Sequence, residues 1–181
     1  MLARLAAGVA SGAGAEVRFL DLRELTLPLY DGDLEAQSGL PEGALLLKRL
    51  MKESDGFIIS APEYNSSITG VLKNAIDWAS RPAPNERPLE PFADKVALLL
   101  AASPGAFGGV RGLPMSRLIL SNLGTLVLPQ QLAIPKANSA FTPEGQLKDP
   151  KQQAALASMV NRLIDTIQKL SQPAEQSSAA D

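Results

Sequence analysis

The sequence predicts an α/β protein built on a doubly wound parallel sheet. Three observations carry that prediction. Helix-like and strand-like patterns alternate along the chain, and such alternation builds a parallel sheet with helices on both faces. Two strand-length runs, GFIISA (56–61) and KVALLLAAS (95–103), are apolar without interruption, as strands covered on both faces are. The chain has 181 residues, 45% hydrophobic and 20% charged, which suffices for one domain with a substantial core and falls short of two.

The expected order is α-β-α-β-α-β-α-β-α. Leu2, Leu5, Ala6 and Val9 recur at helical spacing, with Gly12 and Gly14 as stop signals. EVRFLDL (16–22) sets Val17 and Phe19 against charged neighbours, the alternation of a strand near a sheet edge. A loop with Pro28 and Asp31-Gly32 follows. Pro41 and Glu42 open a helix expected to turn Leu45, Leu46, Leu50 and Met51 inward; proline costs nothing at a first helical position. Between the two apolar runs, Leu72, Ala75, Ile76 and Ala79 mark an amphipathic helix. Gly109 to Asn122 predicts another, with Gly124 as its C-terminal cap. TLVLPQQLAIP (125–135) reads as one strand bent or broken at Pro129. Asp149-Pro150 supplies an N-cap and first turn for a last helix that turns Leu156, Val160, Leu163, Ile164 and Ile167 inward. The domain is expected to span 1–170, and the polar stretch 171–181 to be a disordered tail.

Composition narrows the function. Net charge is −2, with 17 basic and 19 acidic residues spread along the chain; a nucleic-acid partner would call for clustered Lys and Arg. The sequence has no cysteine and no histidine. That excludes thiolate nucleophiles, Cys-ligated metals, Ser-His-Asp triads and the commonest general base. No metal site is expected. Any difficult bond-making then falls to a cofactor. No apolar run approaches the roughly 18 residues of a membrane span. Ala13-Gly14-Ala15 has the small residues of a signal-peptide cleavage site, but no basic region precedes the apolar stretch. A cytoplasmic protein is expected.

In open parallel sheets ligands bind beyond the carboxyl ends of the strands, and two turns expected there have unusual compositions. Ser103-Pro104-Gly105-Ala106-Phe107-Gly108-Gly109 follows the second apolar run. Its glycines allow close backbone approach to a flat ligand, or serve only a tight turn with positive φ. The other is Pro62-Glu63-Tyr64-Asn65-Ser66-Ser67, leading into Leu72-Lys73-Asn74-Ala75-Ile76-Asp77-Trp78.

These two motifs, in this order and at this separation, resemble the signature of the NADPH-dependent FMN reductases, flavodoxin-fold enzymes that include quinone, azo-dye and chromate reductases. The resemblance runs to about Leu170. It implies a flavodoxin-like sheet of strand order 2-1-3-4-5 and an FMN cofactor with NADPH or NADH as co-substrate. The acceptor would be free flavin, a quinone or a similar small molecule. By the resemblance, Pro62, Glu63, Tyr64, Asn65 and Ser66 face the pyrimidine side of the flavin ring, while Ser103, Pro104, Gly105, Gly108 and Gly109 approach its other edge. It assigns no catalytic side chain. It also implies a homodimer or homotetramer through the Leu72–Trp78 helix, where Lys73 and Asp77 pair either between chains or along their own helix. Trp78 fits a core anchor or an interface residue.

The family also begins with a strand and a loop of the form Gly-Ser-x-Arg-x-x-Ser-x-Asn that holds the FMN phosphate at the first helix. Here Met1 falls inside that helix, so the first, central strand is expected to be missing and the sequence to be a shortened version of a longer frame. Neighbouring strands sit about 4.8 Å apart, so a gap of roughly 10 Å is expected between the second and third strands of the family order. Two other functions remain open: a flavin-binding electron-transfer module, and a non-catalytic truncated oligomerisation partner.

Overall fold

The computed structural model describes residues 1–172. Its sheet has three parallel strands in the order β1 (Gly56–Ser60), β2 (Val96–Ala102) and β3 (Leu126–Ile134). Around it lie α1 (Leu2–Gly12), α2 (Gly32–Ser38), α3 (Glu42–Lys52), α4 (Gly70–Ala79), α5 (Gly112–Asn122), the short α6 (Ala137–Ala140) and α7 (Pro150–Ser171). The α/β doubly wound class expected from the sequence is the one observed.

β2 explains the layering. Its residues alternate between two cores, as side chains on a pleated strand must. Val96, Leu98 and Leu100 meet Leu2, Ala6 and Ala10 of α1 and Leu156, Val160 and Leu163 of α7. Ala97, Leu99 and Ala101 meet α3, α4 and α5 through Leu47, Leu72, Ile76, Leu113 and Leu120. Leu98, Leu99 and Leu100 are at most 1% exposed, and burying each stabilises the fold by about 1.5–3 kcal/mol.

Local chemistry sets the helix ends. The Thr69 hydroxyl accepts the Leu72 N–H at 3.2 Å and starts α4; Asp149 accepts the Lys151 N–H at 2.8 Å and starts α7. Gly124, at φ +87°, ends α5: its N–H donates to Ser121 O at 3.1 Å, and the Thr125 N–H donates to Leu120 O at 3.0 Å. Those two bonds form the Schellman pair that a C-terminal glycine permits. β3 bends where expected. Val127 pairs with Ala97 and Gln131 with Leu99, so Leu128, Pro129 and Gln130 bulge opposite Leu98. The Arg117 guanidinium fills the bulge, donating to Val127 O at 3.1 Å and Leu128 O at 2.7 Å.

Four expectations are corrected. Residues 16–22 form no strand; this segment is irregular until a 3₁₀ turn at Leu22–Leu25, and Val17 and Phe19 are 37% and 41% exposed. Side-chain alternation marks the faces of a segment, but a strand needs a partner for its N–H and C=O groups, and no described strand pairs with it. β1, expected to be buried on both faces, is half-buried throughout, because among the described residues its only strand neighbour is β2. α3 turns Ala44, Leu47 and Lys48 inward and leaves Leu45 49% exposed. α2 stands where a loop was expected: the Asp31 carboxylate accepts the Asp33 and Leu34 N–H groups and caps a helix with no buried residue. The tail expected over 171–181 lies outside the described residues from 173 onward; Ser171 is the last residue of α7.

Candidate functional site

The carboxyl ends of β1 and β2 open into the two turns singled out by the sequence, and the end of β3 meets the second of them. In the first turn the Tyr64 N–H donates to Ser67 O at 3.1 Å and the Ser67 N–H to Tyr64 O at 3.0 Å. Asn65 (φ 51°) and Ser66 (φ 65°) both sit in the left-handed region between them, as the central residues of a type I′ turn do. This geometry presents Pro62, Tyr64, Asn65 and Ser66 to solvent, with Tyr64 60% exposed.

The second turn is pinned to the end of β3. The Ser103 N–H donates to Ile134 O at 3.1 Å, the Ala137 N–H to Ser103 O at 3.0 Å, and the Lys136 N–H to Gly105 O at 3.2 Å. Two of its glycines are sterically required. A Cβ on Gly108 (φ +62°) would lie 2.6 Å from Ile134 C and Pro135 N; one on Gly109 (φ +93°) would lie 2.8 Å from the Ala101 Cβ. Gly105 instead borders open space, and Pro104 and Phe107 are exposed beside it.

The two turns touch. Gly109 packs against Glu63, whose N and Cβ lie 3.6 and 3.7 Å from the position of a Cβ at 109. The Glu63 side chain, 6% exposed, accepts from the Arg111 N–H at 2.9 Å and the Arg111 Nε at 2.8 Å, and the Arg111 Nη2 lies 2.6 Å away. Burial alone would raise the Glu63 pKa. The Arg111 guanidinium and the Arg111 and Gly112 amides outweigh that effect and hold the carboxyl below its ordinary range. Arg111 also sits 5.3 Å over the ring of Phe107. This clamp was not legible in the sequence, since its partners lie 48 residues apart.

The two turns also leave backbone donors unpaired. At the start of α5 the Glu63 carboxylate takes the Arg111 amide and Gly109 O takes the Gly112 amide. The amides of Glu63, Asn65 and Ser66 on one turn, and of Gly105, Ala106 and Phe107 on the other, have no protein partner among the described residues.

α4, which follows the first turn, is held to the loop that precedes α2. Trp78 is fully buried and donates its indole N–H to Pro28 O at 2.8 Å. Asn74 donates to the same oxygen at 2.9 Å and accepts the Tyr30 N–H at 2.8 Å. Within this chain Trp78 is therefore a core anchor. Lys73 and Asp77 pair along their own helix at 2.7 Å.

With this geometry in view, comparison with known proteins identifies the family. The profile of the NADPH-dependent FMN reductases matches residues 1–139. The chain belongs to that family. It is 36% identical over 146 residues to the NAD(P)H-dependent FMN reductase of Pseudomonas aeruginosa, a match covering 80% of this chain and 75% of that protein. It is 40% identical over 102 residues to the quinone reductase of Escherichia coli K12, covering 56% of this chain and 52% of that one; the match thus spans about half of that relative. Among solved structures it resembles the flavoenzyme NAD(P)H:(acceptor) oxidoreductase FerB of Paracoccus denitrificans. There the TM-score is 0.75 at 31% identity, over 92% of this chain and 87% of that one.

Proposed function

We propose that this chain is a flavin-dependent NAD(P)H oxidoreductase that reduces free flavin, a quinone or a similar small-molecule acceptor. One observation carries the reading. Two turns at the carboxyl end of the sheet meet through Glu63 and Gly109, and each offers backbone amides that have no partner among the described residues. Amide donors flanking a flat ring suit one that gains negative charge when reduced. The relatives named FMN reductase and quinone reductase support the same reading.

FMN, when bound, supplies the hydride chemistry between nicotinamide and acceptor. The protein's part is to bind and orient. Pro62, Glu63, Tyr64, Asn65 and Ser66 would hold one edge of the ring through backbone amides. Ser103, Pro104, Gly105, Gly108 and Gly109 would hold the other, with Gly105 leaving the approach open. The residues present fit the ring side of that cofactor.

The proposal includes a cytoplasmic homodimer or homotetramer, to be measured by light scattering. No helix among the described residues is long and apolar enough to cross a membrane. Within the Leu72–Trp78 segment only Lys73 is exposed, with Asn74 and Asp77 half-buried, so any contact there is polar.

The test is direct. Purified protein reconstituted with FMN is expected to turn yellow and to oxidise NADPH or NADH with benzoquinone. Protein that stays colourless after incubation with excess FMN refutes the reading.

A further inference from the structure

We propose that Glu63 is a positioning residue, whose carboxylate locks the 62–67 turn onto the 103–112 segment and so fixes how the two turns are placed against each other. The proposal rests on the flavin reading above and concerns how that site is held in shape.

Four observations support it. The carboxylate is nearly removed from solvent at 6% exposure, and it is aimed at the neighbouring segment. Its two oxygens are divided: Oε1 takes the Arg111 guanidinium through Nε at 2.8 Å, with Nη2 2.6 Å away, and Oε2 takes the Arg111 backbone N–H at 2.9 Å. Charge-assisted bonds of this kind are about twice as strong as neutral ones. The backbones on either side are already in contact: a Cβ on Gly112 would lie 3.1 Å from Ser67 O, and one on Gly109 3.6 Å from Glu63 N. The same guanidinium sits over Phe107, which is 65% exposed on the rim of the second turn. Glu63 thus orders three things at once: the start of α5, the Arg111 side chain and the Phe107 ring.

The geometry also separates Glu63 from a ligand role for its side chain. The Arg111 contacts use both oxygens inside the protein, leaving only the Glu63 backbone amide for the ring. Replacing the carboxylate by an amide keeps the shape but supplies one acceptor where three donors converge.

The experiment compares wild type, E63Q, R111Q and E63Q/R111Q by FMN titration, together with amide hydrogen exchange on flavin-free protein. E63Q and R111Q are each expected to raise the FMN Kd about tenfold, which corresponds to about 1.4 kcal/mol. The double variant should lose no more than the worse single one, because both break the same clamp. Exchange at Arg111 and Gly112 should accelerate in E63Q, and flavin bound to E63Q should fluoresce more strongly than in wild type as the ring loosens. L163A, in the core on the other face of the sheet, should lower Tm but leave the Kd unchanged. E63D, which keeps the charge, should bind more tightly than E63Q and serves if E63Q does not fold. Additive losses, unchanged exchange, or a variant Kd within twofold of wild type overturns this proposal alone. A wild type that takes up no FMN refutes the flavin reading and this proposal with it.

Discussion

The buried ion pair between Lys48 and Glu86 offers the sharpest test of how this fold is held together. Their side chains are each 3% exposed, and Lys48 Nζ lies 2.6 Å from Glu86 Oε2. The same ammonium donates to Ala79 O at 3.1 Å and to Arg81 O, carbonyls that the end of α4 leaves without helical partners. Replacing Lys48 with Met fills a similar volume but leaves a buried carboxylate and two carbonyls short of a donor. Removing one partner of a buried pair costs about 3–5 kcal/mol. Lys52, 3.1 Å from Glu86 Oε1 and 37% exposed, offsets part of that, so about 3 kcal/mol is expected. For a chain of this size that lowers Tm by about 6–12 °C. The pair K48M/E86M should recover more than half of the loss, since the uncompensated charge goes with it. Thermal and urea unfolding followed by circular dichroism read both. A K48M loss below about 1 kcal/mol, or a double variant worse than K48M alone, would show that the pair does not hold the 80–95 loop to α3 and α4.

Three further outcomes are expected. G109A should destabilise by about 1–3 kcal/mol, from positive φ and from a Cβ 2.8 Å from that of Ala101, and should weaken FMN binding as the second turn shifts; denaturant melts and flavin titration check it. S66G should stabilise by up to about 1 kcal/mol, because Ser66 has φ 65° and Asn-Gly is the favoured type I′ pair; a lowered Tm would contradict the turn assignment. Glu35, Glu63 and Glu86 all have carboxyls held below the ordinary value of 4.5. Native groups with depressed pKa stabilise fully above that value and lose their contribution as pH falls through the folded pKa. Stability should therefore decline below about pH 4.5, and less steeply in K48M/E86M, as measured by urea melts across pH.

The parts of the fold legible in the sequence are those where local pattern and tertiary contact agree. α4 and α7 follow their apolar periodicity, and α7 also its Asp149 cap. β2 follows from an apolar run too long for a turn, and the bend in β3 from Pro129. The failures share one cause. Pairing at 16–22, the inward turn of Lys48 and the Glu63–Arg111 clamp each depend on a group far along the chain, and no local pattern reports it. Lys48 reads as a surface residue until Glu86 arrives 38 positions later to accept its charge. α2 buries nothing, so its periodicity carried no signal. For the site, both turns were legible as compositions. The contact of the Glu63 side chain with the start of α5 was not.

The bulge in β3 has a consequence for how copies of this protein meet. Beyond β2, an edge strand ordinarily offers a row of open hydrogen-bonding groups to any extended chain. Here Pro129 has no N–H to give, two residues are displaced from register, and Arg117 occupies the carbonyls of Val127 and Leu128. The first half of that margin is thereby made a poor template for an added strand. An extended chain laid along β3 would meet this bulge before it could pair with the regular stretch from Gln131 to Ile134.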